Sequence, residues 1–370
     1  MKIGVPKEIK DHEFRVGLTP AGVRVLCAAG HQVCVESNAG ARIGFGDALY
    51  RDAGAVIVAT PAEIYASELV IKVKEPQPGE LALINARTTL FCYLHLAADR
   101  ALTEKLITSG ATCIAYETVT DAQGTLPLLT PMSAVAGRLA TQMGAWALTM
   151  ANGGSGVLLP GVPGVAPGKV TILGGGVVGE NAARIAVGMG AAVTLLERDA
   201  ARLRHFDDIF GARIVTRYSE ADAIAACVRD ADLVIGAVLV PAKHAPKLVS
   251  RELVRAMRPG SAIVDVSIDQ GGCVETSRPT THSTPLYVEA GVVHYCVTNM
   301  PAATARTSTL ALTHATLPYA LELASKGIQR ALLQNPGLKN GLNLCSGYVT
   351  HANLAEDMGY AYTTPEASLA

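Results

Sequence analysis

The stretch 169–199, KVTILGGGVVGENAARIAVGMGAAVTLLERD, constrains the fold of this 370-residue chain more than any other. A short β-branched and apolar run (Val170–Leu173) leads into Gly174-x-Gly176-x-x-Gly179 and a helix-like run of small residues. A second apolar run (Ala192–Leu196) follows and ends on the acid Glu197. In a chain with 36 glycines the spacing alone carries little weight. The setting carries more: strand, helix, second strand, and an acid 23 positions beyond Gly174, the layout of a dinucleotide-binding βαβ unit. Gly174 suits the tight turn, Gly176 lets backbone approach a pyrophosphate, and Gly179 lets the helix pack close on its strand. The helix N-terminus then offers N–H groups and partial positive charge to the phosphates. The bland alternative is a glycine-rich turn between ordinary αβ elements.

On both sides of this unit, short apolar runs alternate with helix-like segments. Upstream, Lys2–Val5, Gln32–Glu36, Ala55–Val58, Leu69–Val73 and Thr89–Tyr93 read as strands. Pro20–Ala29, Pro61–Ser67 and Asp99–Thr108 read as the helices between them, with Gly30 as the stop of the first. Such alternation implies a mostly parallel sheet covered by helices. Ser133–Ala151 reads as a long connecting helix and Asn152–Gly168 as a Gly/Pro-rich loop. Downstream, Arg213–Thr216, Leu233–Ala237, Ala262–Asp265 and Val292–Val297 bring the second half to six strands, a full dinucleotide fold. After Met300-Pro301 the pattern turns helical (Ser308–Lys326, Ile328–Gln334), and no further strand is expected. The expected fold is α/β: two Rossmann-like domains with parallel sheets, the N-terminal one discontinuous and completed by C-terminal helices. Its divisions are 1–130, 131–305 and a returning segment 306–370.

Composition removes several function classes. With 31 basic and 32 acidic side chains the net charge is −1, which gives no case for nucleic acid or an anionic membrane. No 18-residue apolar stretch escapes interruption, and MKIGVPKEIK is charged and broken by proline too early for a signal peptide. The eight cysteines form no CxxC pair or metal-like cluster, and the histidines are dispersed, so no metal is expected. Scattered thiols in apolar surroundings read as reduced core residues of a cytoplasmic protein.

Four polar residues stand out from their local patterns. Arg15 lies in a loop before a helix, and Lys74 and His95 end apolar strands (VIKVKEP, TTLFCYLHL). Asp269 follows the fifth strand of the glycine-motif half. Ligands of open α/β sheets bind outside the carboxyl ends of strands, where Lys74, His95 and Asp269 fall. Each has a plainer alternative: solvated charge for Arg15 and Lys74, a structural role for His95, a turn cap for Asp269. Asp265, four residues earlier, is a rival acid that a buried hydrogen-bonded role would also explain.

From end to end the chain also resembles the alanine dehydrogenase family. The segments that carry the likeness are GVPKEIKDHEFRVGLTPAGV, IKVKEPQPGE, FCYLHLAAD, the ETV motif around Glu117, TPMSAVAGR, GGGVVGENAARIA, DVSIDQGGCVETSRPTTH and VTNMPAATARTST. The resemblance implies that Arg15 and Lys74 bind substrate carboxylate and carbonyl, and that His95 and Asp269 are the catalytic pair. It implies NAD on Ser133, Gly174, Gly176, Val177, Val178, Gly179, Glu197, Arg202, Ser219, Val238, Leu239, Val266, Ser267, Ile268, Asp269, Arg278, Val297, Thr298, Asn299 and Met300. The implied reaction is reversible oxidative deamination of L-alanine to pyruvate and ammonium, by hydride transfer from Cα to nicotinamide. A homohexamer is implied by the same likeness, and a cleft between the two domains is the expected active site.

Those residue types suit that chemistry. A guanidinium binds an α-carboxylate through two parallel hydrogen bonds, and an ammonium places a point charge beside the carbonyl oxygen. An imidazole, whose ordinary pKa is about 6.5, exchanges protons near neutrality. An acid orients the amine and the attacking water. The family usually carries Asp at the ribose-binding position, whereas here Glu197 is followed by Arg198; the acid favours NAD, and an inward Arg198 would tolerate NADP. Three other readings stand beside this one: the nucleotide-binding subunit of a transhydrogenase, a non-catalytic NAD-binding regulator, and an opine- or saccharopine-type dehydrogenase.

Overall fold

A computed structural model describes residues 1–238 and 245–369. Their strands, in chain order, are β1 (Lys2–Val5), β2 (Gln32–Glu36), β3 (Val56–Val58), β4 (Leu69–Ile71), β5 (Thr89–Cys92), β6 (Thr112–Ala115), β7 (Lys169–Leu173) and β8 (Ala192–Glu197). Then come β9 (Ile214–Tyr218), β10 (Leu233–Gly236), β11 (Ala262–Asp265), β12 (Leu286–Glu289), β13 (Val292–Tyr295), β14 (Leu342–Cys345) and β15 (Tyr348–Val349). Two compact units contain them: Met1–Met132 with Thr304–Ala370, and Ser133–Ala303.

The sheet of the first unit runs β15-β14-β6-β5-β4-β1-β2-β3, and that of the second β12-β13-β11-β10-β7-β8-β9. Counting in each unit only the six strands joined by parallel pairing, both sheets contain the order 3-2-1-4-5-6, so each has its own switch point beside its first strand. Six strands of each sheet pair in parallel; β14 and β15 join the first sheet, and β12 the second, through antiparallel pairing. These sheets are therefore mixed and mostly parallel.

The additions correct two expectations. Strands do return after Met300-Pro301: Leu342–Cys345 is fully buried and pairs antiparallel with β6. LNLC is too short to show a period, and its polar Asn343 masks the apolar run; that side chain is buried, and its amide donates to Thr118 Oγ1 at 2.7 Å. The second sheet has seven strands because Leu286–Glu289 forms a hairpin with β13 on its edge. Thr112–Ala115 forms a further strand beyond those expected from the sequence, and the connecting helix spans Thr130–Ala147.

Alternation builds the core of the second unit. Ile172, Leu195, Ile235 and Val264 enter one cluster, while Leu173, Leu196, Val234 and Ile263, their chain neighbours, enter another. Both faces of the central strands are thus covered, which is why these strands read as near-continuous apolar runs. Each such side chain contributes about 1.5–3 kcal/mol on burial. In the first unit Val70, Leu90, Cys92, Cys113 and Leu344 share one cluster, so the returning strand is part of that unit's core.

Candidate active site

In the first unit, the chemistry gathers at the carboxyl ends of the strands. Gly17 brings the loop after β1 against the end of β4: a Cβ there would lie 2.4 Å from the Ile71 carbonyl oxygen. That approach sets the loop that carries Arg15 against Ile71 and Lys72. Arg15 is no solvated charge; it is 1% exposed. Glu13 grips it at two points, accepting from Nε at 2.7 Å and from Nη2 at 2.5 Å, while Nη1 reaches Met132 Sδ at 3.2 Å. Lys74 is also buried, and its Nζ lies 3.4 Å from His95 Nε2. Glu75 and Lys10 form an ion pair next door. Although burial raises the Glu75 carboxyl, the charges of Lys74 and Lys10 bring it below the usual carboxylate value.

His95 follows β5 and is half-exposed, with Tyr93 stacked on its ring at 5.9 Å. The Tyr93 phenol donates to the Leu128 carbonyl. Burial pushes that phenol up, and the charge of Arg15 offsets only part of the push, so Tyr93 stays neutral. The structure therefore brings Lys74 and His95 together, with Arg15 on the same sheet edge.

A buried ionic group, unread in the sequence, underlies them. Lys72 Nζ donates to Glu8 at 3.1 Å and to Glu80 at 3.2 Å, and Tyr65 donates to Glu80 at 2.8 Å. Glu8 also accepts the Val73 N–H at 2.6 Å, which ties the chain just before Lys74. Burial raises the Glu8 carboxyl, with Lys72 pulling it back. Lys72 itself is held above the ordinary lysine value: burial lowers it, but Glu8 and Glu80 more than compensate. One signal was available, since Lys72 interrupts an apolar run whose other members are all core residues.

In the second unit, the glycine loop lies between β7 and the helix Val177–Gly188. Gly174 has φ of 100°, and a Cβ there would meet the Ala237 carbonyl oxygen at 2.7 Å. At Gly179 a Cβ would fall 1.9 Å from the Gly174 carbonyl oxygen, so the helix can sit this close only on glycine. At Gly176 a Cβ would meet nothing within 4 Å, leaving open space above a helix N-terminus that has no side-chain cap. That cradle fits a pyrophosphate. Val177 and Val178 start the helix.

Glu197 ends β8 and accepts the N–H groups of Gly175 and Arg198 at 2.6 Å and of Asp199 at 3.0 Å. Arg202 donates to the Gly175 carbonyl and to Glu180 at 3.0 Å. Arg198 is exposed, and Ser219 donates its N–H to the Glu197 carbonyl at 3.0 Å. Ser267 hydrogen-bonds both backbone groups of Val238, at 2.8 and 3.0 Å. Val266, Ser267, Ile268 and Asp269 form a 3-10 turn after β11, where Asp269 is exposed. Asp265, the rival acid, is fully buried and accepts the N–H groups of Ser267, Cys273 and Val274. Its role is structural.

Val297, Thr298, Asn299 and Met300 follow β13, with Asn299 left-handed at φ of 62°. Arg278 lies over the Tyr287 ring, 4.0 Å from its centre, and Ser133 is half-buried on the connecting helix. Leu239 lies outside the described residues.

Comparison with known proteins supplies the family. The N-terminal and C-terminal domain models of alanine dehydrogenase/PNT match residues 4–136 and 140–352. Together they cover most of the chain. The chain belongs to the alanine dehydrogenase/PNT family. Within that family it is 57% identical over 363 residues to an alanine dehydrogenase of Halomonas elongata, covering 98% of each chain. A solved L-alanine dehydrogenase superposes with a TM-score of 0.94 at 52% identity, covering 97% of this chain and 99% of that one. A transhydrogenase of Sinorhizobium meliloti gives 0.82 at 22% identity, a likeness of fold. The family models split the chain near residue 138, yet the tail from Thr304 packs with the first unit.

Proposed function

We propose that this enzyme catalyses the reversible oxidative deamination of L-alanine to pyruvate and ammonium with NAD. The observation that carries the reading is the Arg15, Lys74 and His95 group on the carboxyl edge of the first sheet, in a chain 57% identical to an alanine dehydrogenase throughout. When bound, the nicotinamide supplies the acceptor for the hydride leaving Cα. The protein's residues do the rest.

Arg15 binds the substrate carboxylate with its guanidinium, whose direction Glu13 fixes, and that fork sets the orientation of Cα. Lys74 places its charge beside the carboxylate and the oxygen that develops at Cα. His95 Nε2, next to Lys74 Nζ, takes the proton of the attacking water as the imine is hydrolysed, and returns it in the reductive direction. Asp269 orients the amine and the water and balances the cationic imine. Glu197 binds the ribose hydroxyls, which favours NAD over its 2′-phosphorylated form. The Gly176 cradle and the N–H groups of the helix behind it hold the pyrophosphate.

The deciding assay follows absorbance of the reduced nicotinamide with pyruvate plus ammonium, and the reverse with L-alanine. Consumption with pyruvate supports the reading; no turnover with pyruvate but turnover with a larger keto acid replaces it by an opine- or saccharopine-type reaction. Equal kcat/KM with NADH and NADPH would mean that Arg198, not Glu197, governs cofactor choice. We further propose a homohexamer working in the cytoplasm, in keeping with eight cysteines that are all free thiols. Light scattering reads the hexamer directly.

A further inference from the structure

His95 stands in a conformation that histidine rarely adopts. Its φ is 50° and its ψ 39°, in the left-handed region, where a side chain crowds the backbone. Such a residue persists only where its surroundings hold it. The holding group is Glu117, which follows β6. Its Oε1 accepts the His95 N–H at 2.6 Å and the Leu94 N–H at 3.1 Å, and Oε2 lies 3.3 Å from Leu94 N. That same Oε1 is 3.9 Å from His95 Nδ1, too long for a hydrogen bond but close for a charge. The opposite ring nitrogen, Nε2, faces Lys74.

We propose that Glu117 is a positioning residue for His95, fixing the left-handed turn through two backbone N–H groups and turning Nε2 toward the substrate by drawing Nδ1 to its charge. The inference rests on the alanine dehydrogenase reading for what His95 does, and on geometry alone for how His95 is held. Glu117 side-chain exposure is 18%, so its charge is screened less than that of a surface carboxylate. Lys74 opposes protonation of His95, Glu117 favours it, and the neutral Tyr93 ring covers one face. Facing Glu117 are His351, from the cap of the helix Ala352–Met358, and the Cys92 thiol and Tyr93 phenol. Burial holds His351 below the usual imidazole value, while Glu117 and Asp357 pull it part of the way back. Glu117 is thereby the carboxylate shared between the sheet edge that carries His95 and the tail that carries His351.

Glu117→Gln separates charge from anchoring, since its amide oxygen still accepts the two backbone N–H groups. The expected result is a folded enzyme in which the pKa governing kcat/KM for L-alanine falls by about half to one pH unit, the effect of one charge about 4 Å away in a water-like dielectric. In the same variant the His95 imidazole, followed by NMR and identified by its loss in His95→Asn, should titrate lower by the same amount. Glu117→Ala removes the anchor as well, and kcat should drop at least tenfold further with KM for NADH unchanged; Glu117→Asp should recover part of that. An unshifted pH profile and an unshifted His95 titration in Glu117→Gln would overturn the proposal, as would a lower Tm with both unshifted. Wild-type protein without alanine turnover would defeat the functional reading instead, and the NMR titration would still decide on Glu117.

Discussion

At the scale of single residues, the first-unit site works by restraint. The Arg15 guanidinium is held by Glu13 on two of its three nitrogens, so the protein itself sets its direction. Arg15→Lys keeps the charge and loses the fork. A hydrogen bond to a charged group is worth about 1.5–3 kcal/mol, so KM for pyruvate should rise about 10- to 100-fold in steady-state assays, with NADH binding intact. His95→Ala should lower kcat by about 10²–10⁴, the usual worth of general acid–base help; near-wild-type turnover with fold and NADH binding intact would remove His95 from the mechanism. Gly179→Ala would set a Cβ against the Gly174 carbonyl and push the helix off its strand. Loss of NADH binding by fluorescence titration, with the first unit still folded, is the expected outcome.

At the scale of elements, the strand that the sequence hides is the one to test. Leu344 on β14 is fully buried in the cluster with Leu90 and Cys92. Leu344→Ala should cost about 2–5 kcal/mol in urea unfolding, as for other buried leucines, whereas a loose tail would tolerate it. What could be read beforehand follows one physical rule. Strands buried on both faces, such as β7 and β11, announce themselves as near-continuous apolar runs, and β1, β2 and β11 were legible to the residue. β6, β12 and β14 were not, because each stands next to polar or aromatic residues that blur its apolar run. Pairing with a distant partner, not a local pattern, makes them strands. The same division holds for the site. Lys74 and His95 end apolar strands and Arg15 stands in a loop before a helix, so all three could be singled out as candidates, but Glu13, Glu117 and the Lys72 group act through contacts made across the sheet edge, which no spacing encodes.

At the scale of the whole molecule, stability should depend on mild acid. His294 on β13 is fully buried, with Nδ1 2.9 Å from the Val292 carbonyl and Nε2 2.8 Å from Thr276 Oγ1. Burial holds its pKa below the ordinary 6.5, which the Val292 contact offsets in part. The stability tied to its neutral form is complete above about pH 6.5 and is lost as pH falls through the lower, folded value. Urea midpoints measured from pH 8 down to pH 5 should therefore decline, and His294→Gln should decline less steeply; parallel curves would assign the loss to His31 or His351, whose values burial also lowers. The chain path has a further consequence, for the order in which a ribosome delivers the parts. The second unit is one continuous stretch, residues 133–303, but the sheet of the first lacks β14 until residues 342–345 are made. Until then the β6 edge has open backbone groups that invite wrong pairing. Residues 133–303 should mature before residues 1–132, which wait for β14 to close their sheet.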